Sequence, residues 1–131
     1  MYEPIRTKSV HSMADADFPH RTREEELDIQ LAGHLAALLA VTEDLGLDQA
    51  AELIARQVTR LRGTPPARTS APLSGTDAAE LHGRALAHAG RALVVAASRA
   101  DTTAAILAAE RMDAHKAALR APEEHALTTT H

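Results

Sequence analysis

The sequence predicts an all-α fold, on three observations. First, 29 Ala and 16 Leu make up about a third of the 131 residues, and these are among the strongest helix formers. Second, β-branched and aromatic residues, which favour strands, are sparse: there is no Trp, one Tyr and one Phe. Third, apolar residues recur at steps of three and four over two long stretches, 22–62 and 77–120, that are free of proline. The prediction is a long antiparallel helical hairpin or a four-helix bundle, with helices at about 22–45, 48–62, 77–100 and 102–120.

Residues 1–21 carry Pro4 and Pro19 and show no periodicity, so they read as an N-terminal tail. The sequence Thr22-Arg23-Glu24-Glu25 has the form of a capping box and opens the first helix. Leu27, Leu31, Leu35, Leu38, Val41 or Thr42, and Leu45 then define one face, which Ile29 and Leu39 broaden. Gly46 suits the left-handed position that ends a helix, so the chain is expected to break there. Asp48 is expected to cap a second helix that runs to Arg62, with Leu53, Ile54, Val58 and Leu61 inward.

Residues 63–76 hold Pro65, Pro66 and Pro72 among small polar residues and form a linker. Asp77, with Glu80 three residues on, opens the next helix. Asp101-Thr102-Thr103 is the weak point of the stretch that follows, because these side chains compete for backbone partners and favour caps. Residues 121–131, beginning at Pro122, read as a C-terminal tail. The domain organisation is therefore a single helical domain, 22–120, between two tails.

A heptad-like seam runs through the second stretch: Leu86, Gly90, Leu93, Ala97, Ala100, Ala104, Leu107, Arg111, Ala114 and Ala118. Most of its members are small, which lets helix axes approach closely. A homodimer built on this seam would thicken a core that holds few large side chains. Charge is also uneven. Residues 15–52 carry net −8 and residues 53–100 net +5 within a chain of net −4, so two copies could match opposite signs.

Several chemistries are excluded or weakened. Without Cys there are no disulfides, thiolate metal sites or cysteine nucleophiles. The single Phe and Tyr cannot form a stacking platform for single-stranded nucleic acid. No Gly-rich phosphate loop and no Gly-x-Ser-x-Gly elbow is present. Eight histidines are present, yet none is spaced three or four residues from another, so no metal or other cofactor is expected. The longest apolar runs, Leu35–Val41 and Ala92–Ala97, are too short to span a bilayer. No membrane contact and a cytoplasmic location are the resulting expectations.

Two short stretches resemble known signatures. Ala87-His88-Ala89-Gly90-Arg91 resembles the histidine-phosphotransfer signature, with Arg91 at its basic position but the Gly before it instead of after. That resemblance would make His88 the phosphate carrier, aided by Arg84 or Arg91. Leu47-Asp48-Gln49-Ala50-Ala51-Glu52-Leu53 resembles the opening helix of repressor helix-turn-helix motifs, but Pro65 and Pro66 stand where a recognition helix is due.

The function the sequence favours is a small non-enzymatic helical interaction or regulatory protein that acts through protein–protein contacts, as a homodimer and with a protein partner the sequence does not identify. Its expected contact residues are the arginines Arg56, Arg60, Arg84 and Arg91 and the seam residues Leu86, Leu93, Ala97, Ala100, Ala104 and Leu107. The alternatives are a nucleic-acid-binding accessory regulator that uses the arginines, and a phosphotransfer-like bundle.

Overall fold

The computed structural model describes residues 22–68 and 76–129, with side chains to Ala121. Four helices are present among them: α1 (Arg23–Asp44), α2 (Asp48–Arg62), α3 (Ala78–Arg99) and α4 (Thr102–Thr129). The structure is the four-helix bundle of the two expected arrangements. The expected N-terminal tail, 1–21, lies outside the described residues.

Local chemistry sets the helix ends. Thr22 Oγ1 accepts from the Glu25 N–H at 3.0 Å, and the Glu25 carboxylate accepts from the Thr22 N–H at 2.8 Å. This completes the capping box at a helix end that also gathers Glu24, Glu25 and Glu26 on the positive side of the helix dipole. Gly46 takes a left-handed conformation, φ 74°. Its N–H donates to the Glu43 carbonyl and the Leu47 N–H reaches back to Thr42, the paired bonds of a Schellman turn. Asp48 does not cap α2. Leu47 occupies the cap position without a side-chain hydrogen bond, because the tight Gly46 turn makes Asp48 already the first helical residue. Asp77 caps α3 as its spacing predicts, accepting from the Glu80 N–H at 3.2 Å.

The break between α3 and α4 repeats the Schellman pattern with an unusual residue. Ala100 is left-handed (φ 59°) and donates to Ala97, while the Asp101 N–H donates to Ala96. Asp101 then accepts from the Ala104 N–H at 3.1 Å and caps α4. Ala100 is therefore a turn residue, exposed, and not a member of a continuous seam. A Cβ in the left-handed region is strained by about 1–2 kcal/mol, part of which glycine would relieve. Ala100→Gly is expected to raise stability by about 0.5–1 kcal/mol in urea melts, and a neutral or destabilising result would contradict the strain. At the other end, α4 passes Pro122 and runs to Thr129 instead of stopping near 120. One proline removes one hydrogen bond, and Glu123, Glu124, Ala126 and Leu127 are all good helix formers.

Cross-helix contacts fix the topology. The three-residue turn Leu45–Leu47 makes α1 and α2 antiparallel. Arg99 at the end of α3 donates to Asp28 near the start of α1 at 3.2 Å, so these two are antiparallel as well. His82 meets His115, and Gly90 faces Met112, across the antiparallel α3–α4 pair. Arg60 near the end of α2 donates to Asp101 at the start of α4 at 2.8 Å. Helices α2 and α3 are thus parallel and sit diagonally, with no direct packing between them. The link between them begins at Gly63 and is described as far as Arg68. Its first part lies on α2, with Pro65 and Pro66 over Ala55 and Thr59. Arg68 pins it by pairing with Glu43 at the end of α1 and with Glu52 on α2.

The core is unequal in kind. Helix α1 supplies Leu31, Leu35, Leu38 and Leu39, all fully buried, and α2 adds Ile54 and Val58. Helix α3 supplies mainly alanines: Ala85, Ala89, Ala92 and Ala96 are each without exposed surface. Thr42 is buried too, and its hydroxyl donates to the Leu38 carbonyl at 2.7 Å, which removes the penalty of an unmet donor.

Candidate functional sites on the α3–α4 pair

Two regions of the α3–α4 pair stand out from the rest of the surface. The first is an apolar groove of about 380 Å³ beside the Ala100 turn, lined by Ala97, Ala100, Ala105, Ile106 and Ala109. Ile106 is 55% exposed, and Val94, one turn before Ala97, is 66% exposed. These are the two most exposed large aliphatic side chains among the described residues. Burying either would stabilise a contact by about 1.5–3 kcal/mol.

The second region lies at the other end of the pair. His115 on α4 has no exposed surface. Its Nδ1 lies 2.8 Å from Nδ1 of His82 on α3, and the rings are tilted with centroids 5.1 Å apart. Arg111, one turn earlier on α4, places Nη2 3.4 Å from His115 Nε2. The Arg111 Nε is buried without a hydrogen-bond partner. Arg111 also lines a cavity of about 420 Å³ with Gly46, Leu47 and Asp48 at the start of α2.

Burial and the nearby positive charges act together on these groups. Burial, then Arg111 and His82, push His115 down to about 4. Burial and Arg111 also lower His82. Burial lowers Arg111 itself, with Glu110 opposing the shift. No group of three His, Asp or Glu side chains able to hold a metal ion occurs among the described residues.

The structure distributes the sequence-predicted residues differently from the expectation. Ala104 and Leu107 are buried inside the bundle, and Leu86 and Leu93 are half-buried. Ala97 and Ala100 are exposed and line the groove. The four arginines form no single patch, since Arg56 and Arg60 sit on α2 and Arg84 and Arg91 on the diagonal α3. Arg60 is engaged by Gln57 and Asp101, Arg84 by Glu80, and Arg91 by His88. His88 is half-buried. Its pKa is lowered by burial, then by Arg91, His34 and Arg84.

Sequence reasoning missed Val94, Ile106 and the His82–Arg111–His115 cluster. Val94 and Ile106 had a signal, as large aliphatic residues standing off the seam. The histidines had none, because His82 and His115 are 33 positions apart and meet only through the turn at Ala100. No described helix is long and apolar enough to cross a membrane. No protein-family model, curated protein or solved structure matches this chain.

Proposed function

We propose that this chain is a non-enzymatic interaction protein whose contact face is the outer surface of α3 and α4, and that its contact there is a second copy of itself. The observation that carries the reading is the pairing of exposed Val94 and Ile106 with an alanine-lined groove. Large side chains beside a shallow groove of small ones make a surface that can complement its own copy. In a two-fold arrangement, Ile106 of each protomer can enter the groove of the other. The same helix faces carry both signs of charge. Arg91 stands one turn before Val94, and Asp113 and Lys116 continue the three-and-four spacing from Ile106 and Ala109. A mixed rim supports self-pairing, whereas a rim of one sign would oppose it.

The test is light scattering on a size-exclusion column over a range of concentrations. The wild-type chain is expected to have the mass of a dimer. Ile106→Glu is expected to weaken association at least about tenfold, because a carboxylate would lose its hydration in the contact. Its helical content should not change, since Ile106 is exposed in the single chain. A monomeric wild type, or a dimer indifferent to Ile106→Glu, would overturn the assignment.

A further inference from the structure

The donor and acceptor chemistry of the cluster around buried His115 assigns its protons. A guanidinium only donates, so His115 Nε2, facing Arg111 Nη2, is an acceptor. The proton of neutral His115 is then on Nδ1 and is donated to His82 Nδ1 across 2.8 Å. His82 in turn carries its own proton on Nε2. The result is a directed relay from Arg111 to His115 to His82 that ties α4 to α3. Every acceptor nitrogen in it is already in use.

We propose that this relay is a proton-sensitive latch, which holds the far end of the α3–α4 pair closed at neutral pH and loosens it on acidification. A further proton can enter only at His115 Nε2 or His82 Nδ1. The first sets a ring N–H against the Arg111 donors. The second sets two N–H groups against each other at 2.8 Å. Either one breaks a link of the relay and adds positive charge near Arg111, on buried His115 or on half-buried His82.

The surroundings offer little compensation. From α3 the group facing His115 is His82, and from α4 it is Arg111; these are the charges that act on the ring. Glu110 acts on Arg111 but is exposed. At the start of α2, Asp48 lines the cavity shared with Arg111 but forms no ion pair with it. At the end of α1, Glu43 is engaged by Arg68.

The sign follows from the lowered ring pKa. The folded chain favours neutral His115, and the unfolded chain protonates near 6.5. The contribution to stability is therefore complete above about pH 6.5 and declines as pH falls toward about 4.

The experiment is urea unfolding near pH 7.5 and near pH 5, with wild type compared to His115→Leu. Between these conditions the wild-type unfolding constant should rise about 30-fold more than that of the variant. The response from His88, which lies outside the cluster, is common to both chains and cancels. An equal acid response in the two overturns the latch. Because His115→Leu could fail to fold, imidazole nitrogen NMR on the unaltered chain supplies an independent reading. His115 should carry its proton on Nδ1 and remain neutral near pH 5.5. A ring protonated on Nε2 alone, or one that titrates near 6.5, overturns the proposal.

Discussion

Leu38→Ala should destabilise the bundle by about 2–5 kcal/mol, measured by urea or thermal unfolding. Leu38 has no exposed surface and stands between Leu35 and Thr42 on the inward face of α1. Truncation to Ala removes apolar contact and leaves a void that the neighbours must close. The opposing surface is poorly able to do so, since α3 faces the core largely with Ala85, Ala89, Ala92 and Ala96. Alanine has no side-chain torsion with which to lean into a gap, so the void should persist and the loss should fall in the upper half of the range. Leu38 also supplies the carbonyl that satisfies Thr42, and a shift of α1 to fill the void would disturb that bond. The contrasting position is Leu53, which is 46% exposed although its spacing suggests an inward residue. Leu53→Ala should change stability by less than about 1 kcal/mol. Comparable losses at the two positions would mean that α1 is not the principal source of the core.

The sequence was most informative where a residue type has one dominant backbone use. Thr22 with Glu25, Gly46 and Asp77 marked helix ends, and each stands at one. The spacing of Leu27, Leu31, Leu35 and Leu38 on α1 also marked its buried face, because Leu differs sharply from the polar residues between, whereas Ile29, expected to broaden that face, is 48% exposed. Helix α3 offered no such contrast. Alanines occupy both its buried and its exposed positions, so periodicity alone could not say which stripe turns inward. Leu86 and Leu93 drew the seam toward themselves, yet they lie half-buried at its edge, and the core stripe is Leu81, Ala85, Ala89, Ala92 and Ala96. The break at residue 100 was half legible. Asp101 signalled the start of α4, but the left-handed turn carries Ala where Gly would have announced it. The contact of His82 with buried His115 was not legible at all, because the two are brought together by tertiary packing and share no local spacing.

Ala89→Leu tests this placement of the α3 stripe directly, and is expected to destabilise by about 1–3 kcal/mol or more. Ala89 has no exposed surface and belongs to the core of the bundle. A leucine there adds volume at a close approach of helices, where small residues are what allow the axes to come together. To accept it, α3 must move away from its neighbours or force the leucine out of its preferred rotamers. Moving α3 as a body would strain the Arg99–Asp28 bond at one end and the His82–His115 contact at the other. The matched control is Ala87→Leu, two positions away on the same helix and exposed. Leucine and alanine have similar helix propensities, so Ala87→Leu should be neutral within about 0.5 kcal/mol. The pair separates overpacking from any general effect of enlarging an alanine-rich helix. If both substitutions are tolerated, the helices are not closely packed at Ala89. If Ala87→Leu is the damaging one, the face of α3 that contains Ala87 is the inward one, and the register of α3 given above is wrong.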